Sequence, residues 1–232
     1  MNWKVSDLME HISELVGEPA GSYYNLSSRL RQVNLAQREM IEEARALTAE
    51  ARIGTDIGQT LYYLPDDFLT YSKERPYYTD ASRNTYQLRV VDVNFMDTTF
   101  PGWQDEGTLI SRGKPQYLIM RTGQQFELFP VPNDPIGEVV IPYVQDPPEV
   151  SDLEDNIFDG YTHLNRFAPG IAFKVAATFM MPRAPEVAQR YMTEYNRHVR
   201  QMRSATRTNP QHAQVVRPTT YARRRYVHGL DG

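Results

Sequence analysis

Acidic pairs are the residues of this chain whose type and spacing could do chemistry. Asp66 and Asp67 stand together in the stretch YLPDDF, and two carboxylates that share one site can act as general acid and general base. Neighbouring residues of a strand point to opposite faces, however, which is poor geometry for a shared site. Aspartates that follow a proline commonly form a turn or cap the next segment. The sequence therefore predicts a structural turn at this pair.

A second acid-rich stretch, DLEDNIFDG at residues 152–160, lacks the spacing of a calcium-binding loop. We interpret it as a solvated connector. The histidines are never four residues apart on one helix, as a zinc-binding helix would require; they stand at His11, His163, His198, His212 and His228. We expect His198 to be solvated on a charged helical face and His163 to be hydrogen-bonded in a loop beside Asp159.

Several kinds of enzyme site are excluded or lack their motif. The chain has no Cys, which excludes thiolate nucleophiles, disulfides and cysteine-ligated zinc. Glycine-rich phosphate-binding loops and the G-x-S-x-G motif are also missing from the sequence. We therefore expect no catalytic residue, no metal site and no cofactor. An enzyme that uses an Asp or Glu pair, such as a cell-wall hydrolase, is the alternative that these observations leave open.

The net charge of −4 is divided unevenly along the chain. Beyond Glu194 there are eight Arg and one acid, Asp231, so this segment carries +7 and the rest of the chain −11. Residues 206–232 include TTYARRRY and have no sustained hydrophobic period, so we expect an extended arm that orders on docking. Its Arg side chains could pair with carboxylates or phosphates while its Tyr rings fill pockets. We favour an acidic protein surface as the partner; nucleic acid, or no partner at all, are the alternatives.

Hydrophobic spacing predicts four helices that flank a β-rich middle. The helices are expected at residues 5–16, 26–52, about 169–181 and 184–204, and the β region at about 60–144. Within it, residues 117–121 and 126–129 form a predicted hairpin, and residues 138–144 form a further strand. The fold class is α+β: a helical core from the N- and C-terminal helices, an inserted small antiparallel sheet and an extended C-terminal arm. We expect one domain over residues 1–205 and the arm over 206–232.

Neither end of the chain suggests a membrane protein. The opening stretch MNWKVSDLMEHISELVG lacks the apolar core of a signal peptide. No apolar run reaches the ~18 residues that a membrane span needs. We therefore expect synthesis in a reducing cytoplasm and no membrane partner.

Three stretches resemble the head–tail adaptor (connector) proteins of tailed bacteriophages, in the order found in that family. LRQVNLAQREMIEEARAL is similar to the family's long N-terminal helix, with its pattern at Asn34, Ala36, Gln37, Arg38 and Glu39. LYYLPDDFL resembles its strand-to-turn segment, with Leu64, Pro65, Asp66, Asp67 and Phe68 at the matching places. FELFPVPNDPIGEVVIPYVQDPPEVSD resembles its hairpin and exit, here Phe129, Pro130, Val131, Pro132, Pro147, Pro148, Ser151 and Asp152. The resemblance covers residues 26–205, and YTHLNRFAPGIAF departs from the Tyr-rich family pattern.

The resemblance implies a structural, non-enzymatic protein of the virion, located at the head–tail junction and made in the host cytoplasm. It implies a dodecameric ring that binds beneath the portal protein, extends and seals the DNA channel, and carries the tail or nozzle protein. Genomic DNA would pass an acidic body without sequence-specific binding. Portal-binding residues are expected in the arm, at Arg207, Arg217, Tyr221, Arg223, Arg224, Arg225 and Tyr226. Contacts with the tail or a neighbouring copy are expected in a projecting hairpin, at Phe126, Phe129, Val131, Pro132 and Ile136.

Two other functions stay open at this point. One is a tail nozzle or another tail structural protein, although the β-rich fold expected there conflicts with the strong terminal helices. The other is a nucleic-acid-binding protein that uses the Arg-rich tail. The acidic body opposes the second alternative, because DNA affinity rests largely on neutralising phosphates.

Overall fold

Helices form at both ends of the chain, where the sequence has apolar residues at helical spacing. The computed structural model describes residues 3–17, 25–104, 111–208 and 215–216. The helices in this part of the chain are α1 (Val5–Val16), α2 (Leu26–Ala44), α3 (Val93–Thr99), a 3₁₀ helix (Thr162–Phe167), α4 (Ala168–Met180) and α5 (Pro185–Thr208). The predicted helices at 5–16, 169–181 and 184–204 are confirmed, with α5 continuing to Thr208.

The predicted helix over residues 26–52 is too long, because α2 ends at Ala44. Arg45 adopts a left-handed conformation with φ 53°, and its N–H donates to the carbonyl of Glu42, which closes the last turn. Every second residue is then buried, at Ala49, Ala51, Ile53 and Thr55. That period of two belongs to a strand, and it overrides the local helix preference of the Ala, Glu and Arg residues.

The middle of the chain is built from short strands. They are β1 (Thr48–Thr55), β2 (Leu61–Tyr63), β3 (Phe68–Tyr71), β4 (Tyr77–Thr79), β5 (Thr85–Gln87), β6 (Arg89–Val91), β7 (Arg112–Gly113), β8 (Tyr117–Met120), β9 (Gln125–Phe129), β10 (Val131–Pro132), β11 (Gly137–Gln145) and β12 (Val215–Val216). Antiparallel pairing of β8 with β9 sets Leu118 opposite Leu128 and confirms the predicted hairpin at 117–129. The predicted strand at 138–144 is confirmed by β11.

The strands form three sheets. The largest has the order β12–β1–β11–β4–β5, with β3 also paired to β11, and a four-stranded sheet has the order β2–β9–β8–β6. β7 and β10 make a two-stranded parallel pair. The four-stranded sheet is antiparallel except for β6 and β8, which run in parallel.

The strands within residues 126–144 do not form the projecting hairpin that the sequence suggested. β9 pairs with β2 and β8, whereas β11 pairs with β3 and β4 in another sheet. The turn at Gly123, where φ is 73°, already returns the chain from β8 to β9. The segment PVPNDP therefore connects two sheets instead of closing one hairpin.

A short helix lies within the region of residues 60–144 that the sequence predicted to be β. In VDVNFM, Asp92 caps α3 by accepting a hydrogen bond from the N–H of Phe95 at 2.8 Å. Met96 from this helix packs with Val91 and Ile119 in a small core. The Asp at the N-cap position was the available sequence signal for this helix.

The fold class is α+β, as predicted, and the chain forms two compact units. The helical unit holds the described residues within Met1–Ala49, Asp66–Glu74 and Pro142–Val215, and the β unit those within Glu50–Pro65, Arg75–Ile141 and Val216–Gly232. Leu8, Ile12, Val33 and Met40 lie in the core of the helical unit. The predicted boundary between domain and arm at residue 205 stays a prediction.

Candidate functional site

The residues that follow β11 are held against α2 by side-chain hydrogen bonds to the main chain. We call residues 146–159 the exit segment. Asn34 donates from Nδ2 to the carbonyl oxygen of Val150 and accepts from the Val150 N–H at Oδ1, each at 2.9 Å. Both polar groups of one buried main-chain unit are thus satisfied by one side chain.

Gln37 is the polar residue in the apolar stripe of α2, and its side chain is only 1% exposed. Its Nε2 donates to the carbonyl of Pro148 at 2.8 Å, and its Oε1 accepts from the N–H of Phe158 at 3.2 Å. The two ends of one amide therefore join two distant points of the exit segment. A buried polar side chain with both ends bonded fixes a unique chain path.

Charged residues next to Gln37 make further contacts between α2 and the rest of the helical unit. The guanidinium of Arg38 makes two hydrogen bonds to the carboxylate of Asp146, one of them from Nε at 2.9 Å. The hydrogen bond to Asp146 raises the pKa of Arg38. Glu39 pairs with Lys174 of α4 at 2.7 Å. The polar residues of the stretch NLAQRE thus have separate architectural roles, which the sequence pattern alone did not disclose.

The Asp66–Asp67 pair forms a turn, as predicted. Asp67 accepts hydrogen bonds from the hydroxyl of Tyr143 at 2.8 Å and from Nε2 of Gln145 at 2.6 Å, while Asp66 is exposed. The main-chain carbonyl of Asp67 also accepts from the N–H of Asp146. Asp67 holds the end of β11, which leaves no shared carboxylate site at this pair.

The stretch DLEDNIFDG is not a solvated connector. Ile157 and Phe158 are fully buried in the core of the helical unit. The carboxylate of Asp155 accepts from the N–H groups of Ser151 and Asp152 at 2.7 and 2.8 Å, and these bonds lower its pKa. The prediction of a solvated connector was wrong because Ile157 and Phe158, two apolar residues within the acidic run, anchor the segment in the core.

The positions of the His, Asp and Glu side chains of the described residues bear on metal binding. Among them, no group of three or more His, Asp or Glu side chains is placed to hold a metal ion. His163 lies in the 3₁₀ helix, with its ring 6.5 Å from that of Tyr161. His198 was expected on a solvated face, but its ring packs on Phe173 at 6.0 Å, and burial lowers its pKa, with a further contribution from Arg197.

The five residues predicted to contact the tail or a neighbouring copy differ sharply in exposure. Phe126 is fully buried and stacks on Tyr62 at 5.4 Å. Phe129 is half-buried among the rings of an aromatic cluster, Phe100, Trp103 and Tyr117. Val131 and Pro132 are buried, whereas Ile136 is 75% exposed. The contact role of these residues stays a prediction, and of the five only Ile136 presents most of its side chain to solvent.

Ile136 lies on one of three loops of the β unit that hydrogen bonds hold together. We call residues 56–59, 80–84 and 133–136 the tip loops. Asp134 accepts from the N–H of Ala81 at 2.9 Å and from the N–H of Ile136 at 3.2 Å. The Gly58 N–H donates to the carbonyl of Pro132, the residue of β10 that directly precedes the loop 133–136. Ile57, also on a tip loop, is 54% exposed. The sequence analysis did not identify Ile57.

The turn at 80–84 is fixed by a charged group. Burial acts to raise the pKa of Asp80, but hydrogen bonds from Asn84, Lys114 and Tyr86 outweigh it and hold that pKa well below its usual range. Lys114 lies 3.1 Å from the Asp80 carboxylate and also donates to the Tyr86 hydroxyl. Hydrogen bonds and an ion pair therefore fix the conformation of the tip loops.

The predicted portal-binding residues are mostly beyond the described chain. Arg207 is in the last turn of α5. The other six, Arg217, Tyr221, Arg223, Arg224, Arg225 and Tyr226, lie outside the described residues. Their role stays a prediction.

Comparisons with known proteins bear on the family of this chain. No curated protein matches the chain. None of the helices described in the structure is both long and apolar enough to cross a membrane. The model of the family described as SU10 adaptor protein matches residues 3–219, which include α2, the Asp66–Asp67 turn and the exit segment. The chain therefore belongs to the SU10 adaptor protein family, a family of structural phage adaptors.

Proposed function

We propose that this protein is a head–tail adaptor that assembles as a ring beneath the portal of a tailed phage. In this role it extends and seals the DNA channel and provides the surface to which the tail or nozzle protein attaches. The observation that carries the proposal is the family match over residues 3–219. The dodecameric stoichiometry and the non-enzymatic character belong to the same proposal.

The use of polar residues supports a structural role. Asn34, Gln37 and Asp67 are occupied by hydrogen bonds within the helical unit. A catalytic group would need a free, accessible face near substrate. These side chains instead fix the chain path, as a protein that must present surfaces in a constant geometry requires.

The arm is the proposed portal contact. The arm, residues 206–232, has five Arg and one acid and so carries four net positive charges, whereas the rest of the chain is acidic. A basic arm can pair with carboxylates of a portal surface. The conformational entropy that the arm loses on ordering is then offset by these contacts during assembly. The acidic remainder would repel phosphates, so DNA could slide past without being held.

The tip loops are the proposed contact with the tail component or with a neighbouring ring element. Ile57 and Ile136 are large apolar side chains exposed on hydrogen-bonded loops. A few well-packed side chains near the centre of an interface contribute most of its binding free energy. This refines the predicted hairpin contact, whose other members are wholly or partly buried.

Electron microscopy of the full chain mixed with its cognate portal tests the proposal. We expect a ring of density added to the portal, coaxial with its channel. A variant that ends at Val216 keeps α5 and β12 and removes residues 217–232 of the arm, so it should fold like the full chain but leave portals undecorated. Portals that stay bare with the full chain would contradict the adaptor role, and portals decorated by the truncated chain would contradict only the arm contact.

A further inference from the structure

The outward face of α5 carries arginines that few neighbouring groups satisfy. Its inward face buries Ala188, Tyr195, Val199 and Met202 in the helical unit. Arg190, Arg197 and Arg200 are exposed on the opposite side, at spacings of seven and three residues that bring them to one face. We call these three residues the basic face. Arg197 pairs with Glu194 at 2.7 Å, whereas Arg190 and Arg200 have no ion-pair partner among the residues the structure describes.

The exit segment is the acidic counterpart in the same unit. The sequence has no Lys or Arg between Arg121 and Arg166. Four acids of the exit segment are exposed: Glu149, Asp152, Glu154 and Asp159. Only Glu154 forms an ion pair within the described chain, with Lys4 at 2.6 Å. Glu149 interacts electrostatically with Arg38, so Asp152 and Asp159 are the exposed acids whose negative charge no cation of the described residues compensates.

These two surfaces lie on opposite sides of α2. Asn34 contacts the exit segment, and the carboxylate of Glu43 accepts a hydrogen bond from Tyr195 of α5 at 3.3 Å. The two positions are nine residues apart, and at roughly 100° per residue they face opposite directions. The acidic and basic surfaces of one copy therefore cannot meet each other. They can meet only in a second copy.

We infer that the basic face of α5 in one copy docks on the exit segment of the next copy. The inference rests on the proposed ring, and it assigns the surfaces that build it. A contact between two different patches is heterologous, and heterologous contacts propagate head to tail until they close a ring. Charge complementarity selects this partner over a like-charged one and sets the register of the contact.

Charge reversal tests the contact. One variant carries Arg190→Glu and Arg200→Glu, a second carries Asp152→Lys and Asp159→Lys, and a third combines all four changes. We expect each double variant to weaken self-association of the full chain by at least about tenfold, because like charges then face each other. The combined variant should regain it, because the pairing is restored with its signs exchanged. Sedimentation of the full chain at low and high salt measures the association, which salt should weaken.

A matched control carries Arg75→Glu and Arg89→Glu, two exposed arginines of the β unit that lie outside the tip loops, with the same change of net charge as the Arg190 and Arg200 variant. It should associate like the unmodified chain. The inference would be overturned if both double variants associated like the unmodified chain, or if the combined variant did not regain association. Binding of the basic face to duplex DNA in place of self-association would overturn it as well. Decoration of portals, scored separately by electron microscopy, reports on the adaptor role: charge-dependent self-association with bare portals would refute that role and leave this contact standing.

Discussion

Asn34 and Val150 are joined by two hydrogen bonds of 2.9 Å, in which the side-chain amide both donates to and accepts from the main chain. This is the exchange that a residue of a neighbouring strand would make. α2 therefore acts toward the exit segment as a strand edge would, through one side chain. Because Val150 is buried, loss of that side chain would leave two main-chain groups without partners.

The first prediction concerns this pair. Asn34→Leu should lower the free energy of unfolding by about 2–4 kcal/mol, since two buried polar groups lose their hydrogen bonds. Urea denaturation measures the change. Asn196→Leu makes the same substitution on the exposed side of α5 and should change stability by less than about 0.5 kcal/mol. Equal effects at the two positions would contradict the role of Asn34.

The second prediction separates the two aspartates of the turn. Asp67→Ala removes an acceptor for Tyr143 and Gln145 and should cost about 1–3 kcal/mol of stability. Asp66→Ala alters an exposed carboxylate and should cost less than about 0.5 kcal/mol. Denaturation midpoints of the two variants give the comparison. If the two carboxylates shared a catalytic or metal site, both substitutions would abolish the same activity. That result would contradict a purely structural turn.

The third prediction uses the close approach of α4 and α5. A Cβ added at Gly170 would lie 2.7 Å from Cβ of His198 and would also clash with Cε of Met40. The methionine can move, but the histidine Cβ is attached to the helix backbone. Gly170→Ala should therefore destabilise the protein by about 1–3 kcal/mol in thermal or urea unfolding.

Gly54 is the matched control for this substitution. A Cβ there meets nothing within 4 Å. Gly54→Ala should leave stability unchanged or raise it by up to about 1 kcal/mol, because the unfolded chain loses conformational freedom. If both alanine variants shifted stability in the same direction, the packing argument at Gly170 would fail.

The fourth prediction is a dependence of stability on pH. Burial lowers the folded-state pKa of His198 below the ordinary value of about 6.5. As pH falls below about 6.5 the unfolded chain takes up this proton first, so stability decreases until the pH reaches the folded pKa. His198→Gln should remove this part of the slope in urea titrations at a series of pH values. A variant with an unchanged slope would show that another group is responsible.

The sequence predicted the parts of this fold that depend on local periodicity. α1 and α5 have apolar stripes at helical spacing, and the hairpin of β8 and β9 has a Gly turn between its strands. The end of α2 was missed because Ala46 to Arg52 has the composition of a helix, while the burial that makes it a strand comes from tertiary partners. Local preference was overruled by packing there.

The site was predictable only in part, for a related reason. Gln37 stood out as a polar residue in an apolar stripe, but its partners, Pro148 and Phe158, are more than a hundred positions away. No local pattern identifies such a partner. The same holds for the loops of Ile57 and Ile136, because Gly58 beside Ile57 bonds to Pro132, more than seventy positions away. Phe126 was mistaken for a surface residue because the face of a strand that is covered depends on the sheets around it.

The last prediction tests the tip loops as the tail contact. Ile136→Asp should leave the free energy of unfolding within about 0.5 kcal/mol, because the side chain is already 75% exposed. Portal decoration should also be unchanged, whereas binding of the purified tail or nozzle component to decorated portals should fall at least about tenfold, since a charge would replace an apolar anchor. Met181→Asp, at a large exposed side chain of the helical unit, should leave that binding unaffected. Phe126→Ala should behave in the opposite way, with a loss of about 3–5 kcal/mol in stability from a buried ring. Tail binding that survives Ile136→Asp together with Ile57→Asp would place the tail contact elsewhere on the protein.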